Sequence, residues 1–195
     1  MGLFAFFALS AFLTILTLLI RNKTITRVIM LFFSAVHIMF TAYAWKNIGN
    51  TELIYFTFHH SGVLLMSVLA FLLLPVVYHG FIYVAEDDVR KHSIYHSSLI
   101  TLTAFMTGAY LANNMTVLWI FVEATTLAVA ALIYHDRTEI SLEATWKYVF
   151  ICSTGIALAY LGILFLGFIY GREDAARLSF EDPAGMINRV NPLYL

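Results

Sequence analysis

The chain has 195 residues, of which 61% are hydrophobic and 12% are charged, whereas a soluble domain carries about 25% charged residues. This composition indicates an integral membrane protein, and the net charge of −1 gives no sign of a nucleic-acid-binding surface. The single cysteine, Cys152, excludes an internal disulfide. No Cys/His cluster has metal-ligand spacing, so we predict neither a metal site nor a cofactor.

Six hydrophobic segments are long enough to cross a bilayer, because about 20 residues at ~1.5 Å rise span its ~30 Å core. The fourth is short and rich in Ser and Thr, and none alternates as a membrane β-barrel strand does. The first lacks a basic leading region, so we expect a retained helix rather than a signal peptide. The predicted fold is an all-α, polytopic membrane helix bundle of about six transmembrane helices, at residues 2–20, 26–45, 62–84, 97–112, 115–134 and 146–170.

Local sequence features predict a turn, a kink and a helix start. Asn113 and Asn114 predict a tight turn before the fifth helix, and Pro75 predicts a kink in the third. Asp136 followed by Glu139 resembles a capping pair. We therefore expect the sixth helix to begin before its apolar part.

The distribution of Lys and Arg predicts the orientation. The loops after the first, third and fifth helices hold Arg21, Lys23, Arg27, Arg90, Lys91 and Arg137, and the opposite side holds Lys46, Arg172, Arg177 and Arg189. By the positive-inside rule the N-terminus lies on the non-cytoplasmic side. The polar tail, 171–195, is then also non-cytoplasmic and turns apolar at its end. We read this ending as the lead-in to a further helix that is absent here, which predicts a fragment or the product of a shortened gene.

Glu123 is the main candidate functional residue, because it lies near the middle of the fifth hydrophobic segment. A charged side chain at that depth costs ~2.5–3.5 kcal/mol on insertion scales. Such a carboxylate normally faces protein or trapped water, and a buried carboxyl group can exchange protons. The alternative is a structural role, in which the carboxylate is hydrogen-bonded between helices and never titrates.

Three further residues are candidates for a proton relay with Glu123. Lys147 is its nearest cation in sequence, with Glu143 one helical turn earlier on the same face. If the bilayer begins near Trp146, Lys147 is interfacial and its side chain snorkels to the surface. If the sixth helix enters the membrane before that point, Lys147 lies deeper and can pair with Glu123 directly. Glu143 is equally explained as a first-turn acid stabilised by the helix N-terminus. His37 lies in the middle of the second segment. It is either a relay residue or a hydrogen-bonded residue that packs between helices.

The remaining six histidines lie near predicted membrane boundaries. Two pairs, His59–His60 and His92/His96, have the residue types of a metal site, but nothing in the sequence completes either one.

Two stretches resemble a known family. Residues 113–127, NNMTVLWIFVEATTL, and residues 141–155, SLEATWKYVFICSTG, are similar to the fifth helix and the start of the sixth in antiporter-like proton-translocating membrane subunits. That family includes subunits of respiratory complex I, Mrp-type cation/proton antiporters and membrane-bound hydrogenases. The sequences of these two stretches are most similar to the branch formed by the F subunits of hydrogenase-4-type complexes. The resemblance covers about residues 110–165. It identifies only the N-terminal part of such a protein.

The resemblance implies a role for each matching residue. Glu123 matches the family's fifth-helix glutamate, which is coupled to a lysine on a seventh, broken helix that this sequence does not reach. Lys147 matches the lysine at the start of the sixth helix, which is not the principal partner. The implied protein is a multi-pass subunit of the cell inner (plasma) membrane, without a cofactor of its own. Its partners would be other membrane subunits of a hydrogenase or NADH-quinone-oxidoreductase (complex I-like) assembly, the lipid bilayer, and protons or sodium ions.

Two alternatives remain open at this point. A truncated relative can act as a non-conducting scaffold or assembly subunit of such a complex, since the seventh helix is missing. A small independent carrier would instead have to transport without partners.

Overall fold

The computed structural model describes residues 2–20 and 22–169. They form six helices, which confirms the predicted all-α bundle: α1 Gly2–Leu19, α2 Lys23–Lys46, α3 His60–Tyr83, α4 Val89–Leu111, α5 Met115–Ile133 and α6 Glu139–Ile169. A two-stranded antiparallel hairpin, β1 Thr51–Glu52 and β2 Phe56–Thr57, joins α2 to α3. A 3₁₀ turn at Tyr134–Asp136 joins α5 to α6.

Five of these six helices are long and apolar enough to cross a membrane, namely α1, α2, α3, α5 and α6. The remaining one, α4, has 23 residues but carries many hydroxyl groups and histidines. The fold shields it, because α4 packs against α1, α2, α3 and α5. Three of its buried hydroxyls, on Ser97, Thr103 and Thr107, donate to carbonyls one turn earlier, as Thr103 does to Leu99 at 2.9 Å. Such local bonds satisfy polar groups that lipid cannot.

The hydrophobic core lies within α1–α4. Phe6 of α1 stacks on Phe40 of α2 with ring centroids 4.5 Å apart, and both belong to a continuous buried cluster with residues of α3 and α4. By contrast, α5 buries only Ala128 and Ala130, and none of the most apolar 18 residues of α6 is buried. The pair α5–α6 therefore forms one edge of the described bundle.

Glycines allow two of the closest helix contacts. A Cβ at Gly62 of α3 would lie 2.2 Å from the backbone oxygen of Tyr110 on α4. A Cβ at Gly108 of α4 would lie 2.3 Å from the ring of Phe121 on α5. Neither contact leaves room for a larger residue, so these glycines set the spacing on both sides of α4. Pro75 lies inside α3, which runs as one helix from His60 to Tyr83.

The start of α6 corrects one detail of the sequence analysis. Thr138 and Ser141 form the reciprocal cap: the Thr138 N–H donates to Ser141 Oγ at 2.9 Å, and the Ser141 N–H donates to Thr138 Oγ1 at 3.1 Å. The pair Asp136 and Glu139 was the wrong assignment, because Asp136 ends the 3₁₀ turn and Arg137 follows in the left-handed region at φ 56°. The helix does begin before its apolar part, as expected. The tail at 171–195 lies outside the described residues.

The β-hairpin ties the ends of several helices together. Glu52 accepts hydrogen bonds from the Leu3 N–H at 2.8 Å and the Tyr43 hydroxyl at 2.9 Å. The carboxylate thus accepts from an N–H group that the first turn of α1 leaves without a helical partner, where a negative charge is favourable. Desolvation by itself would raise the pKa of Glu52, but these hydrogen bonds outweigh it and hold the pKa below its ordinary value.

Candidate functional site between α5 and α6

The site begins with the cap that starts α5. The side chain of Asn114 accepts hydrogen bonds from the backbone N–H groups of Thr116 at 2.9 Å and Val117 at 3.3 Å. An Asn at this position satisfies donors that the first helical turn leaves open. From this start, Trp119 and Glu123 fall one turn apart on the face of α5 that meets α6.

Glu123 lies half-buried at that interface. Its Oε1 accepts a hydrogen bond from Ser153 Oγ of α6 at 3.0 Å. Its Oε2 is buried and has no hydrogen-bond partner among residues 2–20 and 22–169. The hydroxyls of Thr125 and Thr126 do not reach the carboxylate, because they donate to the backbone oxygens of Val122 and Glu123 at 2.7 Å.

Trp119 holds α6 beside the carboxylate. Its indole N–H donates to the backbone oxygen of Ile156 at 2.9 Å, and its ring lies 4.5 Å, centroid to centroid, from that of Tyr160. Ile156 is one turn beyond Ser153, so this anchor fixes the Ser153 hydroxyl next to Glu123. Ser153 was missed by sequence analysis, since a partner from another helix leaves no spacing signal.

The structure does not bring Lys147 to Glu123. Lys147 pairs instead with Glu143 one turn earlier, and their side chains are 70% and 64% exposed. Within the described chain no hydrogen bond or ion pair joins Lys147 to Glu123. Ser153, which does reach the carboxylate, lies six residues beyond Lys147, or ~9 Å along the helix axis.

His37 occupies a different place, inside the α1–α4 bundle. It is fully buried, and its Nε2 lies 3.1 Å from Thr107 Oγ1 of α4. The Thr107 hydroxyl donates to the Thr103 oxygen at 2.9 Å, so His37 Nε2 must be the donor in the first contact. The other ring nitrogen, Nδ1, is left without a partner in the described residues.

The carboxylate of Glu123 is chemically incomplete as it stands. One oxygen is satisfied by a neutral hydroxyl, while the other is desolvated and unpaired, which is costly for a charged group. A proton, a water molecule or a cationic side chain at Oε2 would remove that cost. Within the described residues no three His, Cys, Asp or Glu side chains converge as metal ligands.

Comparison with known proteins identifies related sequences. The chain is 40% identical over 78 residues to a hydrogenase-4 component F homolog of Methylacidiphilum infernorum (isolate V4), which covers 40% of this chain and 16% of that protein. It is 31% identical over 112 residues to the D subunit of the Na(+)/H(+) antiporter of Bacillus subtilis (strain 168), covering 55% of this chain and 23% of that protein. No protein-family model and no solved structure match the chain.

The fold is that of a multi-pass membrane protein, and part of the chain is similar to subunits of antiporter-like complexes. The resemblance to the hydrogenase-4-type and Mrp-type proteins predicted from the two motifs is confirmed. The chain matches less than a quarter of the length of either relative.

Proposed function

We propose that this chain is, or is the N-terminal part of, a proton-translocating subunit of a hydrogenase or NADH-quinone-oxidoreductase-like complex. Glu123 would accept and release the proton, and the redox chemistry would belong to other subunits. The observation that carries the proposal is the unpaired, buried Oε2 of Glu123 at the α5–α6 interface. An intramembrane carboxyl group with an open hydrogen-bonding position is suited to exchanging a proton or facing a cation.

The arrangement suggests how such a proton would be held. Ser153 supplies one hydrogen bond to Oε1, so the carboxylate keeps its position in either charge state. When Oε2 is protonated, the desolvated charge disappears; when it is ionised, a cation supplied from outside the described residues would have to compensate it. The charge of that neighbour would therefore set the proton occupancy of Glu123.

The other candidate residues take subsidiary places in this proposal. The Glu143–Lys147 pair is exposed near the start of α6 and would meet the aqueous end of the path. His37 would belong to a separate polar contact between α2 and α4. We also propose the orientation with the N-terminus on the non-cytoplasmic side of the cell inner membrane, with protons or sodium ions as the transported species.

Replacing Glu123 by Gln tests the function directly. The side chain keeps its size and can still accept from Ser153, but it cannot carry a proton. We expect proton pumping to fall to background in membrane vesicles that contain the whole complex, measured by quenching of a pH-sensitive acridine dye. The amount of assembled complex should be unchanged on a native gel.

The matched control is Glu139→Gln, which removes an exposed acid from the first turn of α6. It should pump like the wild type. Wild-type pumping by Glu123→Gln in a fully assembled complex would contradict the proposal.

A scaffold role is the second candidate, favoured by the unpacked outer face of α6. Its most apolar 18 residues include none that is buried, and an apolar groove of about 490 Å³ runs along α6 from Trp146 to Leu161. Another membrane subunit could cover this face. This reading predicts that deleting the chain abolishes assembly of the complex, whereas Glu123→Gln leaves coupled activity intact.

A further inference from the structure

Three buried histidines meet at the end of the bundle where α4 begins. His92, His96 and His135 are 0%, 1% and 5% exposed. The first two lie on α4, and the third comes from the 3₁₀ turn between α5 and α6. His135 lies twelve residues beyond Glu123 in the chain. Among the described residues, this histidine cluster makes no contact with Glu123.

Hydrogen bonds define which nitrogen carries the hydrogen in two of the rings. His135 Nε2 lies 2.7 Å from Asp87 Oδ2, and a carboxylate only accepts, so Nε2 is the donor. His96 Nδ1 lies 2.9 Å from the His92 backbone oxygen, so Nδ1 is the donor there. In the neutral rings His135 Nδ1 and His96 Nε2 therefore carry free lone pairs.

These lone pairs are buried and unpartnered. His135 Nδ1, His96 Nε2 and both nitrogens of His92 find no hydrogen-bond partner in the described chain. A buried polar atom left without a partner costs about 1–3 kcal/mol. Four such atoms in one cluster are more than a dry core would normally retain, and ordered water would satisfy them as donor or acceptor.

The rings form a continuous series. The centroids of His92 and His96 are 4.4 Å apart, and Tyr95 lies 5.4 Å from both His96 and His135. Asp87, at the outer end, is 26% exposed and in reach of water. The series therefore leads from the aqueous edge into the bundle.

Charged or titratable groups approach this series from α2, α3, the start of α4 and the 3₁₀ turn. Arg27 of α2 lies 5.9 Å over the ring of Phe81, which itself stacks on His96. The remaining titratable or charged neighbours are Lys23 of α2, Tyr83 of α3, Asp87 before α4, Lys91 of α4 and Asp136 of the 3₁₀ turn. With Arg27 and Lys23 near, and two imidazoles stacked at 4.4 Å, a second added positive charge is unfavourable. The histidine cluster would take protons one at a time.

We propose that the histidine cluster is a hydrated proton-binding site, at which Asp87 and His135 exchange protons with the aqueous side and His96 and His92 hold them. Protonation breaks one O–H bond of a hydronium ion and forms one N–H bond at His135 Nδ1, at His96 Nε2 or at the lone-pair nitrogen of His92; release reverses it. The site does not involve Glu123 and stands whether or not Glu123 is the pumping residue. Metal binding is not favoured, because no three ligand side chains converge in the described residues.

Deuterium exchange at the ring carbon between the two imidazole nitrogens tests this proposal. This exchange requires protonation of the ring and access of water, and mass spectrometry resolves it for each histidine. The full chain in lipid nanodiscs would be incubated in D₂O at several pD values. We expect His92, His96 and His135 to exchange at rates comparable to exposed His60 despite their burial. Exchange at His92 and His96 about tenfold slower than at His60, or more, would show a sealed core and overturn the proposal.

Matched variants test the route of access. Asp87→Asn should slow exchange at His135 and His96, whereas the adjacent, exposed Glu86→Gln should not. Equal rates in the two variants would overturn the role of Asp87. Glu123→Gln should leave all three exchange rates unchanged, which separates this test from that of the proposed function. An unchanged rate at His37, which is buried outside the histidine cluster and would exchange faster on unfolding, reports that the fold is retained.

Discussion

At the residue scale, the proposed role of Glu123 depends on the different surroundings of its two carboxylate oxygens. Glu123 Oε1 has a partner across the helix interface, and Oε2 has none in the described residues. A purely structural glutamate in a membrane protein would be expected to have both oxygens satisfied by its own fold. The asymmetry is what makes this carboxylate suited to an external proton or cation. It could not have been read from the sequence, which shows only that an acid lies mid-span.

Glu52 provides a pH test at the same scale. Its pKa is held below the ordinary value, so its ionised form stabilises the folded state. This contribution is complete above the ordinary glutamate pKa of 4.5 and is lost as the pH falls through the lowered folded value. We expect Glu52→Gln to lower the Tm at neutral pH, with a difference from wild type that shrinks under acid.

Thermal unfolding of both proteins in the same detergent, followed by circular dichroism across pH, measures that difference. Glu86→Gln, an exposed acid on another loop, is the control and should leave the Tm unchanged. A Tm difference that stays constant down to the lowest pH would contradict the assignment.

At the element scale, α4 was the least predictable helix. Its apolar part suggested a short span at 97–112, yet the helix runs from Val89 to Leu111. Hydropathy reports how well the residues of a helix suit contact with lipid, whereas α4 contacts other helices over most of its length. Its Ser, Thr and His side chains are tolerated because α1, α2, α3 and α5 surround it.

The close approach of α3 and α4 gives a stability prediction. Gly62→Ala would place a methyl group 2.2 Å from the backbone oxygen of Tyr110, which cannot rotate away. The helices must separate, and we expect a destabilisation of about 1–3 kcal/mol or more. Gly155→Ala is the matched control, because a Cβ there meets nothing within 4 Å. It should be neutral or slightly stabilising.

Denaturant titration of both variants in mixed micelles compares the free energies of unfolding. If Gly62→Ala unfolds at the same denaturant concentration as Gly155→Ala, then α3 and α4 do not approach each other closely enough at Gly62 to exclude a methyl group.

At the scale of the whole molecule, the bundle divides into a packed part and an edge. The buried apolar cluster draws its residues from α1–α4 and from Phe58, whereas α6 packs mainly against α5 and the 3₁₀ turn. We therefore expect a chain shortened to residues 1–137 to keep a protease-resistant α1–α4 bundle in nanodiscs. Shortening to residues 1–88 removes α4 and should abolish the protection.

Limited proteolysis with mass spectrometry of the protected fragments distinguishes the two shortened chains. Complete digestion of residues 1–137 would mean that α6 contributes to folding despite the exposure of its apolar stretch.

The sequence by itself determined the membrane class, the six helices, the family resemblance and the central position of Glu123, because length, hydropathy and local motifs are properties of contiguous residues. Only the tertiary structure decided that Ser153 rather than Lys147 reaches Glu123, that α4 is the enclosed helix, and that His135 joins His92 and His96. Each of these depends on how helices distant in sequence pack and rotate against one another. That packing follows from glycine contacts, caps and side-chain fit across interfaces, which no single segment encodes.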